Sequence, residues 1–277
     1  MLKSFISFLA KTILFFLKNR PGSYVLDSLL KQQFNKIKEV KINKQSTLFL
    51  SVPNRISNYR ADSYFSKEPE TIEWLESMEC NSILWDIGAN VGLYSLYAAK
   101  QKRAEVIAFE PSVFNLELLA RNVSANKLYD QITIFPLALS DREASGSFNM
   151  SSPDWGGALS TFDKDYDQFG KEMEVKFKYE LMGVSGDFVV KHMKIKQPDY
   201  LKIDVDGVEH IILSGMKKIL PQVKSVLIEI NDDFEQQLNT TIELLQSSGF
   251  VLKKKCEEGV PDGVTLYNQW WINKNIN

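Results

Sequence analysis

Trp85-Asp86-Ile87-Gly88-Ala89-Asn90-Val91-Gly92, with Val106-Ile107-Ala108-Phe109-Glu110-Pro111 after it, is the stretch that decides the fold of this chain. It is entered by Ile83-Leu84-Trp85, an apolar run too short for a helix, which stops at a glycine-rich turn. Leu93, Leu96 and Tyr97 then take up helical spacing, so the unit is strand, tight turn, helix. The second apolar run carries an acid at its C-terminal end. Glycines let backbone approach a ligand closely, and a carboxylate at the end of the neighbouring strand can grip the two hydroxyls of a ribose. The pattern points to a nucleoside-containing cofactor.

What is missing narrows the choice. A dinucleotide site calls for G-x-G-x-x-G with the pyrophosphate on a helix N-terminus. Here Asp86 precedes Gly88, Asn90 and Gly92. A carboxylate in that place repels a pyrophosphate and favours an ammonium group. S-adenosylmethionine offers ribose, ammonium and sulfonium and has no phosphate, so it is the expected cofactor. The competing explanation is a doubly wound domain with a chance turn and no nucleotide.

The 277 residues suffice for one large domain or a domain with an extension, and a net charge of -2 argues against a nucleic-acid partner. Two distant cysteines, Cys80 and Cys256, and two histidines form neither a zinc pattern nor a disulfide framework. A reducing, cytoplasmic setting fits. Residues 1–17 are rich in Phe, Leu and Ile but are interrupted by Lys11, and the stretch is too short to span a bilayer. On a helix, Lys3, Ser4, Ser7, Lys11 and Lys18 share one flank, while Leu2, Phe5, Ile6, Leu9, Ile13 and Phe16 cover the rest. Three readings stay open: a helix packed on the body or on a second subunit of a homo-oligomer, a helix lying peripherally on the inner membrane face through residues 1–18, or an export signal.

Residues 1–80 form an extension, with a charged helix and turn expected over 31–44, a strand at 47–52 and a helix starting at Pro69. From residue 81 strands and helices alternate. Strands are expected at 82–87, 105–110, 132–139, 200–205 and 225–230, with helices at 92–100, 113–125, 208–220 and 234–247. Residues 250–256 and 265–272 should form a closing antiparallel pair around a turn at 259–263. The expected fold is an α/β doubly wound sheet, mostly parallel with an antiparallel final strand. An insertion at about 141–198, with Trp155 beside Gly156-Gly157, reads as a substrate wall.

The second half of the site comes from Lys202-Ile203-Asp204-Val205-Asp206-Gly207 and Ile228-Glu229-Ile230-Asn231-Asp232. Alternation puts Lys202 with Asp204 and Glu229 with Asn231 on one face, at the edge where open α/β sheets bind ligands. A structural Lys202–Glu229 pair is expected, with Asp204 and Asn231 facing substrate. His210 is a candidate base that fits a capping or surface role equally well. Asp204, Asn231 and Asp232 are hard oxygen ligands, but the favoured reading uses no metal.

These blocks resemble the FkbM-type S-adenosylmethionine-dependent methyltransferases. The similarity takes in Asn54-Arg55 with Arg60-Ala61-Asp62, Lys67-Glu68-Pro69-Glu70-Thr71, the Asp86–Gly92 turn, Phe109-Glu110-Pro111, Ala138-Leu139-Ser140-Asp141, Gly156-Gly157-Ala158, Lys202–Glu209 and Ile228-Glu229-Ile230. Asp206 stands where that family usually has Glu. The resemblance implies a class I methyltransferase (Rossmann-like) fold and O-methylation of sugars or secondary metabolites. It implies that Asp86, Gly88 and Asn90, in the turn closed by Gly92, hold the methionine end of the cofactor. Glu110, next to Pro111, would hold the ribose, Leu139 and Asp141 would border adenine, and the block containing Glu68 and Thr71 would close over the cofactor. Asp204 or Glu209, assisted by Asn231, would orient the acceptor hydroxyl and take its proton. Arg55, Arg60 and Trp155 are the candidate contacts to a saccharide or other small acceptor. N- or carboxylate methylation, or a non-catalytic adenosyl-binding scaffold, are the rivals.

Overall fold

The structure, a computed structural model, describes residues 2–17, 20–257 and 263–276. Its centre is a sheet of seven strands, labelled here in chain order: β1 Ile83–Ile87, β2 Glu105–Phe109, β3 Ile132–Phe135, β4 Tyr200–Ile203, β5 Ser225–Asn231, β6 Phe250–Cys256 and β7 Leu266–Asn273. They lie in the order β3-β2-β1-β4-β5-β7-β6. The first five are parallel, and β7 enters antiparallel to both β5 and β6. That arrangement is the expected α/β doubly wound sheet, mostly parallel with an antiparallel closing strand.

Both faces of the sheet are covered, which is why its strands are apolar almost throughout. Leu84, Val106, Ala108 and Leu227 point to one face, where they meet Trp74 and Leu75 of α4 (Pro69–Ser77), Leu96 and Tyr97 of α5 (Leu93–Tyr97), and Leu119 and Val123 of α6 (Val113–Asn126). Trp85, Ile87, Ile107, Phe109, Leu201, Ile203 and Ile228 point to the other. There they pack on Val189 of α7 (Gly186–His192), Ile212 and Leu213 of α8 (Glu209–Ser214) and Leu245 of α9 (Glu235–Ser247).

The N-terminal segment is built differently from the sequence expectation. Helices α1 (Leu2–Phe16) and α2 (Arg20–Phe34) lead in, and residues 37–41, expected in a helix and turn, form a strand paired antiparallel with Thr47–Ser51. Burial of Val40 decides this, because it lets one side of the hairpin join the core with Leu48 and Leu50. The other strand is tied to α6, where Asn126 Oδ1 accepts from the Phe49 N–H (3.0 Å) and Asn122 Oδ1 from the Ser51 N–H (2.7 Å). A further helix, α3 (Arg55–Asp62), begins at Asn54, whose side chain accepts from the Ser57 N–H while Ser57 reciprocates. Its two capping bonds compensate for a weakly apolar sequence.

Three other departures have local causes. The strand expected over 132–139 is broken at Pro136, which lacks an N–H for the ladder, so only residues 132–135 join the main sheet. Residues 138–140 turn into a second sheet with Phe177–Ser185, Ala144–Met150 and Ser160–Phe162. That sheet is the insertion. The helix expected over 208–220 stops at Ser214, since Gly215 lies so close to the Ser140 carbonyl that a Cβ would sit 2.0 Å from it. The expected turn at 259–263 lies, apart from Gly263, outside the described residues.

Candidate functional site

The site forms where β1, β2 and β4 end. After β1 the chain turns at once: Gly88 and Ala89 both donate to the Phe109 carbonyl at 3.0 Å. Gly88 sits at φ +80°, and a Cβ there would lie 1.9 Å from the Asp204 carbonyl oxygen. Only glycine lets the two strand ends come this near. Asn90, also left-handed at φ 51°, donates its N–H to Glu110 Oε2 (2.7 Å) and its side-chain amide to the Gly157 carbonyl (2.7 Å). Glu110 Oε1 accepts from the Ser112 N–H (2.7 Å). Burial raises the Glu110 carboxyl to about 7 against the opposing pull of these N–H groups. Each of its oxygens keeps a lone pair for a further donor.

Two adjoining cavities open over this turn. The first lies between Glu110, Pro111, Leu139, Phe148, Phe162 and Ile212. The second is polar, with Arg60, Lys67, Glu68, Tyr94, Lys202 and Glu229 on its walls. Gly88, Asn90, Ala158, Asp204 and Asp206 border both. Asn90 Oδ1, at the junction, is buried with no hydrogen-bond partner in the structure.

Charge in the second cavity is sharply divided. Lys202, 2 % exposed, donates to Asp204 Oδ2 (2.8 Å) and lies over the Tyr94 ring. The expected Lys202–Glu229 pair is thereby replaced by one within a single strand end. Burial alone would push the Asp204 carboxyl up, but Lys202, Lys67 and Arg60 outweigh it and hold it below the usual carboxylate range. Glu229 has the opposite fate: burial, then the charges of Asp204, Glu209, Asp206 and Glu68, lift it well above its ordinary value. Continuing the β4–β5 register past Ile203 and Ile228 sets Asp204 beside Glu229. The Asp206 carboxyl, raised to about 6 by burial and by Asp204, accepts from the Leu159 and Ser160 N–H groups. Glu68 takes the Tyr94 hydroxyl (2.9 Å) and the Thr71 hydroxyl (3.2 Å) on Oε2.

Of the residues expected in the site, Gly88, Asn90, Glu110, Pro111, Leu139, Glu68, Arg60 and Asp204 line these cavities. The others do not. Asp86 lies beneath the turn, 1 % exposed, accepting from Ser95 Oγ (2.5 Å) with its Oδ1 unpartnered. Gly92 caps α5 and leaves room for Leu119, while Thr71 is fully buried behind Glu68. Asp141 is exposed and paired with Arg142. Glu209 is buried under the 205–207 turn, accepting from the Val205 and Gly207 N–H groups and from Gln237. Burial raises its carboxyl to about 7. Asn231 spends its side chain on the Gln168 carbonyl, the Asp233 N–H and Thr265. Arg55 is exposed on a separate groove, and Trp155 packs edge-on against Phe34 of α2 at 4.9 Å. His210 is buried with neither ring nitrogen hydrogen-bonded, and burial lowers it to about 4.

Sequence reasoning passed over Tyr64, Tyr94 and Gln168 as cavity residues, while Lys67, Lys202, Asp206 and Glu229 stood in blocks assigned to the site without a ligand contact of their own. The signal for Asp206 was the Asp-Gly pair after Asp204, which produces left-handed φ values of 59° and 115° in succession. Gln168 carried no signal, because the insertion that delivers it has no regular pattern.

The sequence pattern of the methyltransferase FkbM domain matches residues 86–252. Hexuronic acid methyltransferase AglP of Haloferax volcanii is 27% identical over 57% of this chain and 59% of its own length. Methyltransferase sdnD of Sordaria araneosa is 26% identical over 69% of this chain and 82% of its own. The AMB antimetabolite synthetase AmbE of Pseudomonas aeruginosa is 26% identical over 68% of this chain and 10% of its own. The chain thus spans about three fifths of the first of these relatives and about a tenth of the last.

Proposed function

This chain belongs to the methyltransferase FkbM family, and on that footing we propose that it methylates a hydroxyl oxygen of a saccharide or similar small polar acceptor, using S-adenosylmethionine. The observation that carries the proposal is the pair of cavities meeting at Asp204: one sets Leu139, Phe148 and Phe162 across from the Glu110 carboxylate, and the other is lined by charged and hydroxyl side chains suited to a polar acceptor. The residues present fit the cofactor. Leu139, Phe148 and Phe162 offer an apolar berth for adenine, and Glu110 two oxygens for the ribose hydroxyls. The unpartnered Asn90 Oδ1 and the carboxylates of Asp204 and Asp206 face the place where an ammonium and a sulfonium would lie.

When bound, S-adenosylmethionine supplies an electrophilic methyl group on a cationic sulfur that leaves as a neutral thioether. The chain's work is then positioning and proton handling. Asp204, kept ionised by Lys202, accepts a hydrogen bond from the acceptor hydroxyl and takes its proton as the oxygen–carbon bond forms. Glu229, whose carboxyl burial and the neighbouring carboxylates push toward its neutral form, borders the same cavity and suits a hydrogen bond to a second acceptor oxygen. Arg60 and Lys67 border the same cavity and suit further hydroxyls or an acidic group of the acceptor. Glu209 and Asn231 act one step back: the first holds the turn carrying Asp204 and Asp206, and the second holds Gln168 at the cavity wall. Glu68 and Thr71 fix the edge of the second cavity. The saccharide choice draws on the name of the Haloferax volcanii relative, which acts on a hexuronic acid.

Incubation with methyl-labelled S-adenosylmethionine and a panel of nucleotide sugars, sugar acids and cell extract tests the proposal. Label in an alkali-stable ether on a sugar is the expected product. Label in an alkali-labile ester or on nitrogen would replace O-methylation with one of its rivals, and cofactor binding with no labelled product would favour a scaffold.

A further inference from the structure

Helix α1 holds the largest exposed apolar surface among the described residues. Phe5, Phe8, Phe15 and Phe16 are 62%, 68%, 69% and 69% exposed, with Ile6, Leu9, Ile13 and Leu14 exposed beside them. The display continues on α2 with Tyr24, Val25, Leu29 and Leu30. An exposed patch of this extent marks a docking surface. Residues 1–35 contain five basic side chains and a single acidic one, Asp27, so they carry +4 of a total of -2 and leave -6 on the rest.

We propose that α1 lies in the interface of an anionic lipid surface and holds the enzyme there. Three observations favour lipid over a second copy of the chain. Lys11 and the serines Ser4 and Ser7 share one narrow flank opposite Phe5, Leu9, Ile13 and Phe16, with Leu14, Phe15 and Phe8 at its edges, which suits a helix sunk among headgroups with its lysine toward them. Pairing two copies through this segment would bring +4 against +4. The negative remainder of the chain is repelled by anionic lipid, so the basic helix is the part that engages it. Fifteen residues rise about 22 Å, short of the ~30 Å apolar core of a bilayer, so α1 rests on the membrane without crossing it. Among the described residues no helix is long and apolar enough to cross.

Anchoring also orients the cleft. Phe34 at the end of α2 packs on Trp155, and the turn that follows Trp155 supplies Gly157 and Ala158 to the cavity walls. The cleft wall is thereby linked to the membrane-bound α1 through the length of α2.

Co-sedimentation of the full chain with phosphatidylcholine vesicles, with and without phosphatidylglycerol, tests this. The chain should sediment with the anionic vesicles and be released by salt. Changing Phe5, Phe8, Phe15 and Phe16 together to Ser should weaken partitioning roughly tenfold or more. Lys11→Glu should weaken it roughly fivefold or more. Thermal unfolding of both variants should match the unaltered chain, since none of these side chains is buried. Failure of the folded chain to sediment with either vesicle overturns the proposal, as does equal partitioning of the four-Phe variant. A dimer that the four-Phe variant abolishes, with no vesicle binding, would assign the surface to a second copy instead.

Discussion

Glu110 gives the account its sharpest quantitative exposure. Burial holds its carboxyl at about 7, although the Asn90 and Ser112 N–H groups favour the charged form. To accept two ribose hydroxyls it must be ionised, so cofactor binding should expel its proton. At pH 6.5 a group of pKa about 7 is roughly three-quarters protonated, so binding should release about 0.75 proton from this residue, falling to about 0.1 at pH 8. Calorimetric titration with S-adenosylhomocysteine in buffers of differing ionisation enthalpy reads that number directly. Glu110→Gln should remove the same fraction of a proton. Losing the charged acceptor should weaken binding by about 1.5–3 kcal/mol, or roughly 10- to 150-fold. The sign for stability runs the other way. A folded pKa above the ordinary 4.5 means Glu110 contributes in full below that pH and loses its contribution as pH rises through about 7. The loss is on the order of 3 kcal/mol, so the ligand-free Glu110→Gln protein should be flatter in stability between pH 5 and 8. Proton release that is the same in wild type and Glu110→Gln would refute the ribose assignment.

Other substitutions separate the remaining roles. Gly88→Ala places a Cβ 1.9 Å from the Asp204 carbonyl at a positive φ, so cofactor binding should be lost and the thermal midpoint should fall; normal binding would show that the turn opens freely. Asp204→Asn should weaken cofactor binding roughly tenfold through the charge lost at the amino-acid end, and at saturating cofactor it should still slow methyl transfer by roughly 100-fold or more; a wild-type rate at saturating cofactor and acceptor would remove it from proton transfer. Asn231→Ala breaks bonds to Gln168, Asp233 and Thr265 and should cost about 1–3 kcal/mol in denaturant unfolding. Trp155→Ala should leave cofactor affinity unchanged in the same titration, because its ring rests on Phe34 outside both cavities.

The main sheet was legible because both of its faces are covered, which leaves apolar runs ending in glycine or acid. The turn at Asp86–Gly92 and the Glu110 beyond it could be placed at a sheet edge from those endings alone. What spacing could not give was depth. Asp86 and Asn90 stand in the same short motif, yet one hydrogen-bonds Ser95 under the turn and the other borders both cavities. Strand alternation put Lys202 and Asp204 on one face, but their direct pairing, which leaves Glu229 without a cation and its carboxyl raised by burial and by Asp204, depends on how the β4 and β5 ends align. Glu209 and Asn231 have chemistry suited to a site and are consumed by backbone groups nearby. In the insertion, the three-residue strand Ser160–Phe162 pairs antiparallel with residues 148–150 across an irregular loop, and a run that short carries no alternation to announce it.

The central claim is that the turn at Gly88–Asn90 cradles a sulfonium donor across the junction of the two cavities. A crystal structure with S-adenosylhomocysteine tests it most directly. Adenine beside Leu139, ribose hydroxyls on Glu110 and the amino-acid end between Asn90 and Asp204 would meet the expectation. Ligand density outside that cleft, with the Glu110 carboxylate contacting only the Asn90 and Ser112 N–H groups, would contradict it.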